Sequence, residues 1–186
     1  MRIVAGQFKG RAIQAPKRDA TRPTSDRARE SVFNILAHAD WAPSLTGARV
    51  IDLFAGSGAL GFEALSRGAS FCLFVETAPA ARGAIRNNIE ALGLFGTTRI
   101  HRRSATDLGQ KSAGTGEGFD FAFIDPPYHK GLIAPCLKAL KEGDWLLDKA
   151  LIVAETAADE TLTSRDWEVI SERTIGAAKV WFLKRA

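Results

Sequence analysis

The sequence has few cysteines and no long apolar stretch. Its 186 residues contain two cysteines, Cys72 and Cys136, and neither has a histidine or another cysteine at metal-ligand spacing. We therefore expect neither a disulfide nor a bound metal, as is usual in a reducing compartment. The longest apolar runs have five residues, whereas a membrane-spanning helix needs about 20. No signal-peptide apolar segment follows the N-terminus. These absences predict a cytoplasmic protein without a membrane helix.

Over most of the chain, positive and negative charges are nearly balanced. The net charge of +4 combines a net +5 in residues 1–30 with −1 in the remaining 156 residues. The basic residues of the N-terminal segment are Arg2, Lys9, Arg11, Lys17, Arg18, Arg22, Arg27 and Arg29. Clustered cations favour contacts with nucleic-acid phosphates, so we predict that these eight residues bind nucleic acid. The alternative is a solvated charged face.

Short apolar runs alternate with amphipathic segments, which predicts a parallel sheet covered by helices on both faces. Strands are predicted at 50–54, 71–75, 99–101, 119–124 and 151–155, with helices at 59–67, 79–92 and 132–141. Residues 167–173 and 179–184 predict a terminal antiparallel hairpin. The fold class is therefore α/β and Rossmann-like, with a mostly parallel seven-stranded sheet.

The N-terminal segment predicts a small extension to this sheet. Residues 2–15 predict a β-hairpin that turns between Gly6 and Gly10. A helix is predicted after Pro23, because apolar residues recur at helical spacing from Ala28. This spacing places Arg22, Arg27 and Arg29 near the start of the helix, away from its buried face.

A glycine turn between a strand and a helix predicts a cofactor site. Gly56, Gly58 and Gly61 match G-x-G-x-x-G directly after the strand at 50–54, and Glu76 ends the next strand. A carboxylate in that place can accept hydrogen bonds from both hydroxyls of a ribose. The pattern therefore predicts an adenosine-containing cofactor.

Charge decides which cofactor is favoured. Asp52 lies close to the turn and would oppose the pyrophosphate of NAD, whereas S-adenosylmethionine carries a cationic ammonium and a sulfonium. We therefore favour S-adenosylmethionine, with S-adenosylhomocysteine as product, over an NAD-linked oxidoreductase. The run from Asp52 to Gly61 also resembles the first motif of class I methyltransferases.

A second motif, Asp125-Pro126-Pro127-Tyr128, follows the strand at 119–124 and is expected at the same sheet edge. The Asp125 carboxylate and the Pro126 carbonyl can accept the hydrogens of an exocyclic amine, and Tyr128 can stack on its base. We predict these four residues as catalytic. They resemble the [DN]-P-P-[FY] motif of methyltransferases that act on adenine N6, guanine N2 or glutamine N5. The motif alone leaves the substrate open, as well as a role for His129 in proton transfer.

The whole chain resembles the RsmD family. The resemblance rests on Lys9-Gly10-Arg11, the run from Thr21 to Asn34 with its Arg-Pro-Thr, and the two motifs above. It implies methylation of a guanine N2 in 16S rRNA of a partly assembled 30S subunit, with the eight basic residues contacting RNA. It also implies that Arg22, Thr24, Asp26 and Arg29 lie near the pocket. We expect an RNA-binding extension at 1–40, a catalytic domain at 41–186, and a monomer.

Many class I methyltransferases hold the cofactor's adenine amine with an acidic residue after the third strand. Ser104 and Ala105 occupy that place here, and Asp107 follows. The predicted cofactor residues are therefore Asp52, Phe54, Ala55, Gly56, Ser57, Gly58, Glu76, Ser104 and Ala105. Methylation of DNA adenine N6 or of protein glutamine N5 stays open, and so does a non-catalytic RNA chaperone with the same fold.

Overall fold

Seven strands form one sheet in the computed structural model, which describes residues 1–17 and 25–186. The strands are β1 (Arg49–Leu53), β2 (Phe71–Val75), β3 (Thr98–His101), β4 (Phe119–Ile124), β5 (Leu146–Ala157), β6 (Trp167–Ile175) and β7 (Ala178–Arg185). The helices are α1 (Asp26–His38), α2 (Ala59–Ser66), α3 (Pro79–Leu92) and α4 (Ile133–Glu142), with 3-10 turns at Phe95–Thr97 and Ala113–Thr115. None of the described helices has the length and apolar character needed to cross a membrane.

The strand order is β3-β2-β1-β4-β5-β7-β6, and β1 to β5 are parallel to their neighbours within that group. The chain leaves β1 toward β2 and β3 and then returns to the other side of β1 as β4. Leu53 lies between Val75 and Ile124 in register, so three strands end side by side. Such a reversal opens a crevice at the carboxyl ends of the strands, where ligands bind in open α/β sheets.

The C-terminal hairpin completes the sheet in antiparallel fashion. Strand β7 pairs with β5 over Ile152–Ala157, with Glu155 opposite Val180, and β6 is the outer strand. The predicted Rossmann-like α/β fold with a C-terminal antiparallel hairpin is confirmed. The predicted strand at 151–155 is a longer one, because β5 also pairs with β4 at Leu146, ahead of an irregularity in the β4–β5 ladder.

The predicted N-terminal hairpin is present but short. Arg2 and Ala12 form an antiparallel bridge, and backbone hydrogen bonds join the two arms from Ile3 N to Arg11 O at 2.9 Å, from Gly10 N to Ile3 O at 2.8 Å and from Ile13 N to Met1 O at 3.0 Å. Side chains of α2 bind the turn of this hairpin: Glu63 accepts from Val4 N and Ala5 N, and Ser66 Oγ accepts from Phe8 N. The short hairpin therefore lies against α2.

Two apolar cores cover the two faces of the sheet. The first unites Ile3, Ile13 and the α1 residues Val32, Phe33 and Leu36 with α2, α3 and the sheet. The second contains α4 and residues that follow β3. The described part of residues 1–40 thus shares a core with the sheet, and their separate RNA-binding role stays a prediction.

A buried ion pair joins the N-terminal segment to α2. Glu63 and Arg29 have fully buried side chains, with 3.5 Å between Arg29 Nε and Glu63 Oε2. Glu63 also accepts from Val4 N at 2.9 Å, Ala5 N at 3.1 Å and Arg67 Nε at 2.9 Å. The Glu63 carboxylate therefore accepts hydrogen bonds from the N-terminal segment and from Arg67 directly after α2, and it forms an ion pair with α1.

The prediction that Arg29 lies off the buried face and contacts RNA phosphate is wrong. Its guanidinium is 0% exposed and also donates to Asp26 Oδ1 at 2.8 Å and to the carbonyl of Arg2. The helical spacing from Ala28 predicted a buried face of apolar residues only. Arg29 also lies on the buried face of α1, because Glu63 lies opposite it and forms an ion pair with it.

We predict that Glu63→Gln lowers the free energy of unfolding by about 3 kcal/mol, because buried Arg29 loses its buried counter-charge and keeps only Asp26, which is partly exposed. The measurement is urea denaturation. The matched control is Glu142→Gln, which removes an exposed pair with Lys138 and should change stability by less than about 0.5 kcal/mol. Equal effects of the two substitutions would contradict the assigned role of Glu63.

Candidate active site

The loop between β1 and α2 leaves space for a ligand at Gly56. This residue has φ 59°, and a Cβ built on it meets no atom within 4 Å. Gly61, in contrast, is needed for packing, since its Cβ would lie 2.4 Å from the Phe74 ring and 2.6 Å from Cys72 Sγ. The first glycine of the motif thus permits close approach of a ligand, and the third permits close packing of helix on strand.

The other predicted loop residues surround this opening. Phe54 is half-buried, whereas Ala55, Ser57 and Gly58 are buried. The Ala55 N–H donates to the carbonyl of Val75 at 3.1 Å, which joins the loop to the end of β2. The loop is thereby fixed on the neighbouring strand before any ligand binds.

Glu76 lies directly against the glycine loop. Its Oε1 accepts from Gly56 N at 2.9 Å, and its Oε2 accepts from Thr77 N at 2.8 Å and Ala78 N at 3.2 Å. The side chain is half-buried. These three N–H groups fix the carboxylate at the mouth of the loop, where a ribose would have to lie to use it.

Asp52 lies beneath the loop and not at its surface. Its side chain is buried, and Oδ2 accepts from Gly61 N at 3.0 Å. Burial raises the pKa of Asp52 well above its usual range, and the charges of Asp125 and Glu76 raise this pKa further. The Asp52 carboxyl group therefore holds the start of α2, and the charges of Asp125 and Glu76 make this sheet edge electronegative.

The N-terminal segment reaches the same loop through Asn88. Asn88 Nδ2 donates to the carbonyls of Ser57 at 3.1 Å and Gln14 at 3.0 Å, while its Oδ1 accepts from Gln14 N at 2.8 Å. Met1 Sδ lies 4.0 Å from Ser57 Oγ. Sequence reasoning missed Asn88, although a polar side chain beside Ile85, Ile89 and Leu92 on the buried face of α3 was a usable signal.

The second motif begins where β4 ends. Asp125 and Tyr128 are half-buried, Pro126 is buried and Pro127 is exposed. Tyr128 Oη donates to Glu155 of β5. The structure thus brings the Asp125–Tyr128 loop to the edge that carries the glycine loop and Glu76, because Ile124 lies beside Leu53.

Glu160 ties the end of this second loop to β5. Its Oε1 accepts from His129 N at 3.1 Å, and its Oε2 accepts from Ala157 N at 2.7 Å. His129 has φ 59°, so the turn depends on such external support. Its ring contacts Asp159 at 2.9 Å, and this hydrogen bond raises the pKa of the exposed His129. Neither Glu155 nor Glu160 was identified from the sequence.

Comparison with known proteins agrees with this geometry. The family model described as "Conserved hypothetical protein 95" matches residues 1–184. Escherichia coli "Ribosomal RNA small subunit methyltransferase D" is 34% identical over 178 residues, which are 95% of this chain and 85% of that protein. The Haemophilus influenzae protein of the same name is 35% identical, over 95% of this chain and 89% of its own. The solved E. coli protein yhhF superimposes with a TM-score of 0.80 at 32% identity, covering 100% and 97% of the two chains.

The chain belongs to the RsmD family. At the level of the family, the prediction of an S-adenosylmethionine-dependent methyltransferase is confirmed. The alternative function, an NAD-linked oxidoreductase, is not supported. The open approach at Gly56, the fixed Glu76 carboxylate and the electronegative edge all fit a cofactor with a ribose and a cationic sulfur. The described residues contain no group of three or more His, Cys, Asp or Glu side chains placed to hold a metal ion.

The residues predicted for the adenine of this RsmD-family protein follow β3. Ser104 is half-buried, and its Oγ contacts Thr106 Oγ1 at 2.9 Å and Thr106 N at 3.2 Å. Ala105 is buried in the second core. The carbonyl of His101 accepts from Glu76 N at 3.0 Å, which brings the end of β3 next to the ribose position. A contact between Ser104 or Ala105 and adenine stays a prediction.

The predicted RNA-contacting residues differ in their surroundings. Arg2, Lys9, Arg11, Lys17 and Arg27 are exposed. Two of them also have structural partners: Arg2 Nη1 donates to the Gly10 carbonyl and Arg11 Nη2 to the Ala91 carbonyl, each at 2.7 Å. Arg18, Arg22 and Thr24 lie outside the described residues, and Asp26 pairs with Arg29.

We predict that Glu76→Ala raises the dissociation constant for S-adenosylmethionine roughly 10- to 100-fold. The expected loss of binding free energy is about 1.5–3 kcal/mol, the contribution of a hydrogen bond to a charged group. Isothermal titration calorimetry measures it, with Glu90→Ala on the exposed face of α3 as the matched control. An unchanged dissociation constant would show that Glu76 does not bind the cofactor.

Proposed function

We propose that this protein transfers a methyl group to the exocyclic N2 amine of a guanine in 16S rRNA, in a partly assembled 30S subunit. The observation that carries the proposal is the meeting of the Asp125–Tyr128 loop with the glycine loop and Glu76 at one sheet edge. Relatives that share most of the chain are named for small-subunit ribosomal RNA. The motif fits methylation of an exocyclic amine, and the relatives are named for ribosomal RNA. Both therefore support methylation of an amine in rRNA.

The cofactor supplies an electrophilic methyl group on a cationic sulfur. Its binding surface would consist of the predicted residues of the three strand ends, with Asp52 beneath them: Phe54, Ala55, Gly56, Ser57, Gly58, Glu76, Ser104 and Ala105. Gly56 gives the backbone room for approach, and Glu76 accepts from the ribose. Asp52 acts from below by holding Gly61.

The second loop orients the amine. The Asp125 carboxylate and the Pro126 carbonyl accept the two amine hydrogens, which directs the nitrogen lone pair toward the methyl group. Pro127 restricts the loop backbone, and the Tyr128 ring provides a face on which the base can stack. The half-buried positions of Asp125 and Tyr128 leave both groups accessible to a base taken out of its stack.

The exposed cations of residues 1–40 would bind the rRNA backbone. Lys9, Lys17 and Arg27 are exposed, unlike the buried Arg29, and Arg2 and Arg11 extend the same charged surface. Arg18 and Arg22 belong to this group by sequence. Such contacts position an RNA without recognising its sequence. We further propose that the protein acts as a monomer in the cytoplasm.

The decisive experiment is incubation of the protein with methyl-labelled cofactor and 30S particles lacking this methylation. Nuclease digestion and mass spectrometry should identify N2-methylguanosine. Asp125→Ala should lower kcat by about 10²- to 10³-fold, because it removes an acceptor aimed at the reacting amine. Asp148→Ala, which changes an exposed aspartate at the other end of β5, is the control and should retain activity.

Label in adenine, in DNA or in protein glutamine would contradict the proposal. Cofactor binding measured on Asp125→Ala separates loss of chemistry from loss of folding. A dissociation constant within a few-fold of the wild-type value is expected, because the proposed contacts of Asp125 are with the base.

We predict that Lys9→Gln combined with Lys17→Gln weakens RNA binding and flattens its salt dependence. Each lysine–phosphate interaction that is removed should reduce the slope of log K against log salt by about 0.7–0.9. The control pair is Lys138→Gln with Lys149→Gln, which removes the same charge from exposed positions on α4 and β5. If both pairs give the same slope, the N-terminal lysines are an ordinary solvated surface.

A further inference from the structure

One stretch of the sheet departs from the charge balance of the chain around it. The 156 residues after the N-terminal segment have a net charge of −1, yet residues 95–103 contain three arginines, no aspartate and no glutamate. Arg99, Arg102 and Arg103 are all exposed. Strand β3 stands at one end of the strand order, so these residues lie on an outer edge of the sheet. We call this basic surface of residues 95–103 the β3 edge.

An aromatic ring stands at the start of the β3 edge. Phe95 is 68% exposed, and within residues 1–17 and 25–186 it is the one large apolar side chain left in solvent. It begins the 3-10 turn that joins α3 to β3. The preceding Leu94 packs against the first core, donates from its N–H to the Ile89 carbonyl at 3.0 Å and accepts from Thr98 Oγ1 at 2.6 Å. A turn anchored in the core therefore carries the exposed ring.

Cations flank Phe95 on both sides along the chain. A single exposed apolar residue is common on protein surfaces, so the surroundings of Phe95 decide how it is interpreted. Arg11 Nη2 donates at 2.7 Å to the carbonyl of Ala91, four residues before Phe95. This bond brings the hairpin, with its exposed Lys9, to the end of α3. Arg99 follows four residues after Phe95. The ring is therefore close to cations of both the hairpin and β3.

The other end of the β3 edge lies beside the proposed cofactor site. The carbonyl of His101, the last residue of β3, accepts from Glu76 N at 3.0 Å. Arg102 and Arg103 follow directly. Burial lowers the pKa of His101, and the charges of Arg103 and Arg99 lower it further, so positive charge acts on this strand from two positions. The four residues of β3 span roughly 13 Å between the turn of Phe95 and this end. The β3 edge thus connects an exposed aromatic ring with the active-site edge of the sheet.

This combination is typical of surfaces that bind single-stranded nucleic acid. Such surfaces place cations along the phosphate backbone and aromatic side chains against the faces of successive bases. Unpaired bases can stack on an aromatic ring, whereas a double helix keeps its bases stacked within itself. An apolar protein partner would match Phe95 alone, and the three arginines favour a polyanion instead.

We propose that the β3 edge is a second RNA-binding surface, on which Phe95 stacks against an unpaired base while Arg99 and Arg102 bind phosphates. The inference rests on the proposed function for the identity of the RNA, and it adds a surface to the N-terminal cations. Stacking holds one nucleotide at the start of β3, and the phosphate contacts lead from there toward the cofactor. The RNA strand would therefore approach the active site along the outer edge of the sheet.

The test measures the dissociation constant for 30S particles that lack the methylation, without relying on methyl transfer. Phe95→Ala should raise this constant roughly 5- to 150-fold, as expected when one base loses its aromatic stacking partner. The slope of log K against log salt should not change, because stacking releases no counterions. Phe95→Trp should bind at least as tightly as wild type. Phe95→Leu, which keeps an apolar side chain without a ring, should bind as weakly as Phe95→Ala.

The arginines are tested by the same salt series. Arg99→Gln combined with Arg102→Gln should flatten the slope by about 0.7–0.9 for each phosphate contact that is lost. Arg103 stays unchanged, because it pairs with Asp107 at 3.5 Å. The control pair is Arg165→Gln with Arg173→Gln, which removes the same charge from exposed positions before and on β6, at the opposite edge of the sheet. Cofactor affinity, measured on every variant, confirms that each is folded.

The inference is overturned if Phe95→Ala binds the particles as tightly as wild type, or if the two arginine pairs give equal slopes. Wild-type affinity of Phe95→Leu would also overturn it, since that result indicates an apolar contact with a protein instead of stacking on a base. The proposed function has its own readout, the formation of N2-methylguanosine by the wild-type protein. Particles that bind through the β3 edge but gain no methyl group at guanine N2 would contradict the proposed function and leave this inference standing.

Discussion

The buried carboxylate of Glu63 is the constraint on which the arrangement of the site depends. It neutralises Arg29 of α1, accepts two backbone N–H groups of the N-terminal segment and bonds Arg67 after α2. Helix α2 begins at the glycine loop, so whatever fixes α2 also fixes the loop. The N-terminal segment is thereby held against the catalytic sheet and reaches the loop again through Asn88 and Gln14.

The other half of the site depends on the order of the strands. Because β4 lies beside β1, two loops that are about 70 residues apart in sequence follow neighbouring strand ends. Asp125 of the second loop and Glu76 at the end of β2 raise the pKa of Asp52, which burial has already raised. A cationic cofactor relieves that accumulation of negative charge, which gives the cofactor choice an electrostatic basis in the fold itself.

The sequence predicted what periodicity and local motifs determine. The strands at 71–75 and 119–124 and the helix at 79–92 have the predicted bounds, and Glu76 lies against the loop that its spacing indicated. Contacts between distant residues could not be predicted. Arg29 was mistaken for a surface cation because its partner Glu63 belongs to another helix, and Glu155 and Glu160 gained their roles only from the pairing of β4 with β5.

The antiparallel return of β7 has a consequence for the order in which the site is built. A ribosome releases the chain from its N-terminus, and segments fold as they emerge. Every residue assigned to the cofactor precedes β5 in the chain. Glu155, however, pairs with Val180 of β7, so β5 gains its second neighbouring strand only when the C-terminal hairpin has formed. The cofactor loop is therefore synthesised before the strand beside the second loop can be paired on both sides.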